Sequence, residues 1–366
     1  MVSGVPQAVN PFFSIVVACC DVGPYVGECL DSLLGQPFAD WECILGVEES
    51  KDDTEEIVRG YAAKDPRFKV FAGPRTGSCS ATRNTGVDMS TGEYVMFLDG
   101  DDTVAEGSLQ RLHDKIAERP GADIYPCAIK VYDDATKEER ELRDNYAKGF
   151  DRELTGPEAT ILTERGCGNH PCPMLQMSVF RREFLVGNGL KCIHGLRRQD
   201  SEFAPRALYL AKRVVPLHEP FYLYRLRPNA VGTAAKGPGY FHGDWAVILR
   251  SLLAFHARVS AEDGFDRRVS QCWARQWLQL IIYFWFEPRN VREIPRARRV
   301  ETLETLFSDG FGGLCALAAA ASRPKRAAAW WIRAFVRHPA MRLAAEMFFR
   351  IYFLAAGSGH GKGTTP

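Results

Sequence analysis

Residues 92–102 read GEYVMFLDGDD, and this stretch decides the fold that the sequence predicts. Tyr94 to Leu98 is a short apolar run, rich in residues that favour strands and bounded by polar sequence, so we predict a buried strand. Asp99, Asp101 and Asp102 follow it directly. Because three carboxylates at the end of a buried strand repel one another and lose hydration, they require a compensating cation.

Two explanations of this acidic cluster are open. Oxygen ligands of this kind suit Mg²⁺ or Mn²⁺, particularly when the phosphates of a substrate complete the coordination shell. Alternatively, the acidic residues precede a predicted helix, Ala105 to Ala117, and stabilise its amino-terminal end. The sequence argues against a calcium-binding EF-hand, because the sixth loop position would be Val104 instead of glycine.

The composition favours a reduced, globular enzyme. The chain has 366 residues, 46% of them hydrophobic, which is enough for a catalytic domain and an additional region. Its formal net charge is +1, so charge gives no indication of a nucleic-acid partner. The 11 cysteines are scattered and odd in number, which favours a cytoplasmic location over a disulfide framework. The sequence predicts neither a signal peptide at MVSGVPQAVNPFF nor a membrane-spanning segment.

Strands and helices alternate through the first hundred residues. The predicted strands and helices are, in order, Ser14–Ala18, Tyr25–Leu34, Trp41–Val47, Thr54–Lys64 capped by Asp53, Phe68–Ala72 and Ser80–Met89. This alternation implies a parallel sheet with right-handed crossovers. Ligands of such sheets bind at the carboxyl ends of the strands, where Asp99 and Asp101 lie.

Ordered segments of this region resemble glycosyltransferase family two. They read SIVVACCDVGPYVGECLDSLLGQ from Ser14, WECILGVEESKDDTEEIV from Trp41 and SATRNTGVDMSTGEYVMFLDGDD from Ser80. The resemblance is close as far as Leu112 and thinner as far as Arg227. It implies an α/β GT-A fold, with a mostly parallel, Rossmann-like sheet flanked by helices. It also implies an inverting reaction that uses a nucleotide-sugar donor and a divalent ion, Mn²⁺ or Mg²⁺.

The resemblance assigns residues to the donor site. Asp99 and Asp101 match the DxD motif of the family, whose carboxylates hold the metal and the ribose and diphosphate of the donor. Further donor-binding positions of the family correspond to Ala18, Tyr25, Arg83, Asn84 and Gly100. A guanidinium at the arginine position would offset the charge of the diphosphate, whereas the alternative is an ordinary ion pair on a helix surface.

One segment departs from the family pattern. The second strand of the family usually ends in two aspartates before Gly-Ser, and one of them reads the base. The corresponding residues here are Val47 and Glu48, followed by Glu49 and Ser50. Glu48 could still accept a hydrogen bond from a base N–H, but its longer side chain changes the reach. A UDP-sugar is therefore the first expectation, with dTDP and GDP open.

The middle of the chain carries a candidate catalytic base. The sequence RQDSEF matches the place where the family has a Glu-Asp pair at the start of a helix; the glutamate is Gln199 here, and Asp200 is retained. The resemblance makes Asp200 the carboxylate that removes the proton of the acceptor hydroxyl. The alternative is that Asp200 only caps a helix over Ser201–Leu210. Glu202 and His170 are the next candidates for the base.

Further segments carry weaker predictions. Ile124–Lys130 is predicted as a strand, and Tyr132–Gly149, which is highly charged, as an exposed excursion. FYLYRLRPNAVG resembles a closing strand and loop, in which Tyr224, Arg225 and Arg227 face either the donor phosphates or solvent.

A cysteine- and histidine-rich segment has the residue types of a zinc site. It contains Cys167, His170 and Cys172, with Cys192 and His194 downstream. The spacing is loose and prolines constrain the loop, so buried or incidental cysteines are the favoured interpretation.

The last third of the chain has helical patterns with many large apolar residues. After Pro324 it becomes basic and aromatic, and Pro339 should divide this part into two helices. One interpretation is an interfacial membrane helix that presents Trp330, Trp331 and Phe335 to lipid. The other is a helical subdomain whose aromatic residues pack on the catalytic core or on a second copy of the chain.

These observations predict residues 1–12 as an extension, 13–235 as the GT-A domain, 236–356 as a helical region and 357–366 as a flexible tail. The predicted activity is metal-dependent, inverting sugar transfer to a glycan or lipid-linked acceptor in cell-surface polysaccharide synthesis. It would take place in the cytoplasm or at the inner face of the cytoplasmic membrane. A nucleotidyltransferase and a non-catalytic nucleotide-sugar-binding scaffold are the alternatives, and a homo-oligomer stays open.

Overall fold

The computed structural model describes residues 10–141, 152–166, 175–227, 242–286, 294–313 and 323–357. The chain divides into two compact units, one made of Met1–Ala159 and Cys172–Arg227, the other of Thr160–Pro171 and Pro228–Pro366. Among the described residues, the first unit contains both helices and strands, whereas the second is helical.

The first hundred residues alternate between strands and helices. In chain order the elements are β1 (Phe13–Cys19), α1 (Gly23–Leu34), β2 (Trp41–Glu48), α2 (Thr54–Ala62), β3 (Phe68–Gly73), α3 (Ser80–Met89) and β4 (Tyr94–Asp99). β1 pairs in parallel with both β2 and β4, and β2 pairs in parallel with β3. The predicted alternation and its parallel sheet are confirmed, with small shifts at the ends of the elements.

The rest of the first unit completes this sheet and adds a second one. The elements are β5 (Thr103–Val104), α4 (Ser108–Glu118), β6 (Ile124–Pro126), β7 (Ala128–Asp133), β8 (Glu138–Glu141), α5 (Gly156–Gly166), β9 (Ser178–Arg181), α6 (Arg182–Gly187), α7 (Asp200–Leu210) and β10 (Pro220–Leu226). The first sheet has the order β3-β2-β1-β4-β9-β6, in which β9 is antiparallel to both of its neighbours. The second sheet has the order β5-β10-β7-β8.

One prediction for this region is wrong. Ile124–Lys130 is not one strand, because the chain leaves the first sheet after Pro126, which has no N–H for a ladder, and enters the second sheet at Ala128. The excursion predicted from Tyr132 includes β8, which pairs with β7, and residues 135–139 are exposed as predicted. Its charge suits β8, which lies at the edge of the second sheet. Residues 142–149 lie outside the described residues.

A cap was also predicted wrongly at the start of α2. Asp53 occupies the N-cap position, but its side chain makes no capping hydrogen bond. The preceding residue, Asp52, takes this role instead, because its Oδ1 atom accepts from both the N–H (3.2 Å) and the hydroxyl (2.6 Å) of Thr54.

A buried carboxylate ties together the amino-terminal ends of β1, β2, β3 and β4. Glu42 accepts hydrogen bonds from the hydroxyl of Ser14 (2.5 Å) and the N–H of Thr91 (2.6 Å), and it forms an ion pair with Lys69 (2.5 Å). Burial opposes the ionisation of Glu42, but these donors outweigh burial and lower its pKa. A polar network therefore holds the end of the sheet opposite the acidic cluster.

The second unit consists of helices. They are α8 (His242–Val259), α9 (Arg267–Ile281), α10 (Arg296–Leu306), α11 (Arg323–Arg337) and α12 (Arg342–Gly357). α9 and α10 each continue into a π-helical turn, Ile282–Phe286 and Phe307–Phe311. A short 3₁₀ turn, Pro339–Met341, separates α11 from α12, so the break predicted at Pro339 is confirmed.

Aromatic side chains form much of the core of the second unit. The rings of Trp273 and Trp277 stack with their centroids 5.6 Å apart. Phe286 contacts Phe335 edge to face at 5.0 Å and stacks on Phe349 at 4.2 Å. Phe335 is fully buried, so the prediction that it faces lipid is wrong, because its ring fills the core between helices.

The surface of α11 and α12 keeps several large apolar side chains exposed. The exposed fractions are 56% for Trp330, 61% for Leu343 and 56% for Met347. Trp331 is partly covered, because it stacks on Phe348 at 5.4 Å. None of the helices that the structure describes is both long enough and apolar enough to cross a bilayer.

Candidate active site

The acidic cluster connects the two sheets of the first unit. Asp99 ends β4 and Thr103 begins β5, so the cluster links a strand of the first sheet to a strand of the second. Ala18, at the end of β1, lies opposite Asp99 in the parallel ladder. The N–H of Gly100 donates to the carbonyl of Ala18 at 3.0 Å, and a Cβ on Gly100 would lie 3.1 Å from that oxygen. Glycine permits this close approach of the turn to β1.

Two donors hold the carboxylate of Asp99. Nη2 of Arg83 donates to Oδ1 at 2.6 Å, and Nε2 of Gln176 donates to Oδ2 at 2.6 Å. The side chain of Arg83 is 2% exposed and that of Asp99 is 28% exposed. The buried position of Arg83 excludes the helix-surface ion pair that was its alternative. No sequence signal marked Gln176, since a single glutamine before a short strand belongs to no motif.

Asp101 pairs with an arginine from the end of β10. Nε of Arg227 donates to Oδ2 of Asp101 at 2.8 Å, and the guanidinium lies 4.9 Å from the ring centroid of Tyr25. Burial and the charge of Asp99 raise the pKa of Asp101, and Arg227 offsets only part of this effect. A carboxylate with incompletely balanced charge is suited to a cation.

Asp102 binds the second sheet. The hydroxyl of Tyr222 donates to its Oδ2 atom, and the N–H of Arg225 donates to its Oδ1 atom at 2.7 Å. Burial, with the charges of Asp101 and Asp99, raises the pKa of Asp102 well above its usual range. Asp102 is 1% exposed, so its carboxylate is a structural link and is not open to a ligand.

Arg225 is buried and pairs with acidic groups, so the interpretation that it faces solvent is wrong. Its side chain is 7% exposed. Its guanidinium pairs with Glu28 and with Asp134 (2.8 Å), and its Nε atom donates to the carbonyl of Asp101 at 3.0 Å. The two carboxylates compensate its charge in the interior.

Two predicted donor-binding side chains are engaged by the protein itself. The carboxylate of Glu48 accepts from the hydroxyl (2.7 Å) and the N–H (3.0 Å) of Thr76, and the side chain is almost buried. The amide of Asn84 donates to the carbonyl of Cys192 at 2.9 Å and accepts from its N–H at 2.8 Å. A ligand would have to displace these partners to reach either side chain.

Polar groups that were not predicted reach the surface next to Glu48. Arg75, after β3, pairs with Asp21, after β1, at 2.5 Å, and their side chains are 40% and 35% exposed. Arg75 also donates to the carbonyl of Glu49 at 3.3 Å. Hydrogen bonds from Arg75 and from the N–H of Lys51 lower the pKa of Asp21 to about 2. The rule that ligands bind at carboxyl ends of parallel strands points to both residues.

Asp200 lies beside the arginine that holds Asp99. It is the first residue of α7, and Gln199 occupies the N-cap position. With its amide oriented so that both groups are satisfied, Gln199 donates to the carbonyl of Leu196 at 2.9 Å and accepts from Arg83. Arg83 therefore contacts both Asp99 and the neighbour of Asp200.

The environment of Asp200 makes its carboxylate more basic. Burial raises the pKa of Asp200, and the charges of Arg198 and Arg83 counteract this only in part. A carboxylate with a raised pKa is a better proton acceptor near neutral pH. Glu202 does not suit this role, because it is fully buried and Arg206 binds both of its oxygens at 2.7 Å.

The cysteine- and histidine-rich segment that was weighed as a zinc site lies mostly outside the described residues. Cys167, His170 and Cys172 are not described, and Cys192 is a buried free thiol. Within the described ranges, no three His, Cys, Asp or Glu side chains are placed to hold a metal by themselves.

Asp99 and Asp101 fit a divalent cation that is shared with phosphates of a ligand. Their side chains are 28% and 22% exposed, so their oxygens can be reached from solvent. Each carboxylate oxygen has more than one lone pair, and the hydrogen bonds described above leave part of this capacity unused. Mg²⁺ is commonly held by one or two carboxylates together with substrate phosphates.

The sequence is similar to bacterial glycosyltransferases. Residues 14–186 match the family model described as Glycosyl transferase family 2. EpsJ of Bacillus subtilis, named an uncharacterized glycosyltransferase, is 34% identical over 224 residues, which is 60% of this chain and 63% of EpsJ. The chain thus spans less than two thirds of that relative.

A second relative is covered more completely. It is the GalNAc(5)-diNAcBac-PP-undecaprenol beta-1,3-glucosyltransferase of Campylobacter jejuni, which is 30% identical over 265 residues. The match covers 70% of this chain and 79% of that protein.

Solved structures share the fold. TarS 1–349 of S. aureus in complex with UDP-GlcNAc has a TM-score of 0.70 and 19% identity, over 94% of this chain and 92% of TarS. Its complex with UDP has a TM-score of 0.65 and 20% identity, over 92% and 91%. At this identity the likeness shows the fold alone, and it confirms the predicted GT-A architecture.

Proposed function

Because this chain belongs to glycosyl transferase family 2, we propose that it transfers a sugar from a nucleotide-sugar donor to a saccharide or lipid-linked acceptor. One observation carries the proposal. Asp99 and Asp101 stay partly exposed at the carboxyl end of β4, and Arg83, which binds Asp99, also contacts Gln199, the residue before Asp200. The name of the Campylobacter relative, which acts on an undecaprenol-linked glycan, supports a lipid-linked acceptor in cell-surface polysaccharide synthesis.

The donor is proposed to lie across the carboxyl ends of β1 to β4. Ala18 and Tyr25 would line the nucleoside, and Asp99 and Asp101 would face the ribose and diphosphate. Arg75 and Asp21 are better placed to meet the base than Glu48, whose carboxylate is bound by Thr76. UDP is the first choice of nucleotide, because the solved TarS complexes contain UDP-GlcNAc and UDP. We assign Asn84 to holding Cys192 instead of the donor.

The reaction is proposed to be a single, inverting displacement at the anomeric carbon. Asp200 would remove the proton from the acceptor hydroxyl, since burial raises its pKa and makes it a better base. Mn²⁺ or Mg²⁺ held by Asp99 and Asp101 would stabilise the negative charge of the leaving diphosphate. Arg83 and Gln176 would keep Asp99 in one orientation, because each binds a different carboxylate oxygen.

The function is tested by incubating the full chain with UDP-, dTDP- and GDP-sugars. Each donor is offered with oligosaccharide and polyprenyl-linked acceptors, with and without Mn²⁺, and nucleotide release and product linkage are measured. We expect metal-dependent transfer that inverts the anomeric configuration. Nucleotide-sugar binding without release would favour a scaffold. Pyrophosphate formed from a nucleoside triphosphate and a sugar phosphate would favour a nucleotidyltransferase.

We also propose that α11 and α12 contact an anionic membrane surface. On the outer face of α11, Arg326 lies about one turn and Arg337 about two turns from Trp330, and α12 exposes Leu343 and Met347. Apolar side chains flanked by arginine suit the boundary between acyl chains and anionic headgroups.

The acidic residue of this segment does not oppose such contact. Glu346 is the one acid in residues 323–357 of the sequence, and Arg296 (2.5 Å) and Arg299 (2.6 Å) neutralise it. The exposed charge of α11 and α12 is therefore positive, as an anionic lipid surface requires.

A further inference from the structure

We propose that Arg227 holds Asp101 in the donor-free protein, and that Arg227 moves to the diphosphate of the donor when Asp101 takes up the divalent cation. The inference rests on the proposed function, because it concerns the same donor site. It makes Arg227 a positioning residue that couples the binding of the cation to the binding of the nucleotide.

Arg227 is hydrogen-bonded to a carboxylate oxygen of Asp101 that would be needed as a ligand of the cation. Its Nε atom donates to Oδ2 of Asp101 at 2.8 Å, and both side chains are partly exposed. Its guanidinium also lies 4.9 Å from the ring of Tyr25, which the family resemblance assigns to the nucleoside. One arginine thus lies next to both the proposed metal ligand and the proposed nucleotide position.

The neighbouring arginine of β10 cannot take this role. Arg225 is 7% exposed and its guanidinium is bound to Glu28, Asp134 and the carbonyl of Asp101. Its backbone lies in the ladder between β10 and β7, which ends at Leu226. Arg227 follows the last residue of that ladder, so the ladder does not fix its backbone.

Charge drives the exchange. A divalent cation and a guanidinium repel each other when both lie at one carboxylate. A diphosphate attracts a guanidinium strongly, because it offers several charged acceptors in a geometry that arginine matches. Without nucleotide, the cation would have to displace Arg227 from Asp101, and no phosphate would be present to bind the displaced guanidinium. The cation should therefore bind weakly. With nucleotide, both positive charges have anionic partners.

The exchange predicts that cation and nucleotide strengthen each other's binding by the same factor. The test measures Mn²⁺ affinity of the full chain by electron paramagnetic resonance, with and without saturating UDP. Arg227→Gln removes the charge and keeps an N–H donor. We expect Mn²⁺ alone to bind this variant about fivefold or more tightly than wild type, and UDP to improve that binding less. Arg59→Gln, which breaks an exposed pair with Glu55 on α2, is the matched control and should behave like wild type.

Two results would overturn the inference. If Arg227→Gln binds Mn²⁺ alone no more tightly than wild type, Arg227 does not compete for Asp101, even when UDP affinity falls. Equal Mn²⁺ affinity of the wild-type chain with and without UDP also overturns it, and this comparison needs no variant. Failure of the proposed function looks different, because the wild-type chain would then release no nucleotide from any donor, whether or not it binds UDP.

Discussion

Arg83 donates to Asp99 at 2.6 Å from a position that solvent hardly reaches, since only 2% of the arginine side chain is exposed. The pair joins α3 to the end of β4, and the same guanidinium contacts Gln199 at the start of α7. The carboxylate proposed for the donor side and the segment proposed for the acceptor side therefore share one arginine.

Removing this arginine should destabilise the fold. Arg83→Met leaves Asp99 without its cation, and breaking a buried pair typically costs 3–5 kcal/mol. Because Asp99 is partly exposed, we expect the free energy of unfolding to fall by about 3 kcal/mol, at the lower end of that range. Urea denaturation measures the loss. Arg59→Gln serves as the control, since exposed helix pairs contribute about 0.5 kcal/mol or less. A loss no larger than that of the control would contradict the structural role of Arg83.

Asp101→Asn should weaken metal and donor binding together. The substitution keeps the size of the side chain and removes its charge, so Mn²⁺ and UDP should each bind on the order of tenfold more weakly in the presence of the other. Calorimetry measures both affinities, and circular dichroism should show an intact fold. Normal turnover of this variant with Mn²⁺ would contradict the DxD assignment.

Asp200→Asn should lower the rate of transfer and leave donor affinity unchanged. Loss of a general base reduces kcat on the order of a hundredfold or more, whereas a merely structural aspartate would leave kcat almost intact. Initial rates at saturating donor and acceptor give kcat, and UDP binding gives donor affinity. Asp114→Asn, at an exposed position of α4, is the control. Near-normal transfer by Asp200→Asn would move the search for the base to His170 in the segment that the structure does not describe.

The pH dependence of the transfer rate should reflect the protonation of the Asp200 carboxylate. The base must be ionised to accept a proton, and burial raises its pKa from the usual 3.8. The rate should therefore fall as the pH decreases through that raised pKa, well before an ordinary aspartate would protonate. Arg198 lowers the pKa of Asp200, so Arg198→Gln should move the acidic limb of kcat to higher pH. If the acidic limb of the kcat profile of Arg198→Gln stays in place or moves to lower pH, this result would argue against Asp200 as the catalytic base.

The exposed apolar residues of α11 and α12 should contribute to membrane binding. Trp330→Ser combined with Leu343→Ser removes two side chains that would enter the lipid interface, and the partition coefficient should fall about tenfold or more. Sedimentation with vesicles that contain phosphatidylglycerol measures binding. Val186→Ser, at a 51% exposed valine of the first unit, is the matched control. Equal sedimentation of all variants would end the membrane proposal, and a loss of self-association in the double variant would assign the surface to a second copy of the chain.

The part of the fold that local sequence decides was predictable. β1 and β4 are largely apolar runs bounded by turns and helices, and the ordered segments around them indicated the family, which is confirmed. The switch between sheets after Pro126 was missed, because a run of strand-forming residues does not state which sheet each part joins. The burial of Phe335 was only one of two open interpretations for a similar reason, since the sequence alone could not show what covers an aromatic face.

The positions of the site residues were more predictable than their partners. The end of β4 places Asp99 and Asp101, but Gln176 reaches Asp99 from 77 residues away, and Tyr222 donates to Asp102 from 120 residues away. Long-range hydrogen bonds of this kind leave no local pattern. The same limit explains why Glu48 was predicted to bind the donor. The sequence places Glu48 at the end of β2 but does not reveal that Thr76 already binds its carboxylate.

Glu42 binds groups near the starts of β1, β3 and β4 at the end of the sheet remote from Asp99. This polar network therefore lies apart from the loops proposed to meet the donor. Substitutions in those loops can change which nucleotide is accepted without loosening the strands. Such a separation makes the scaffold tolerant of mutation, so that new specificities can arise in a lineage, or be engineered, by exchanging a few residues after β1, β2 and β3.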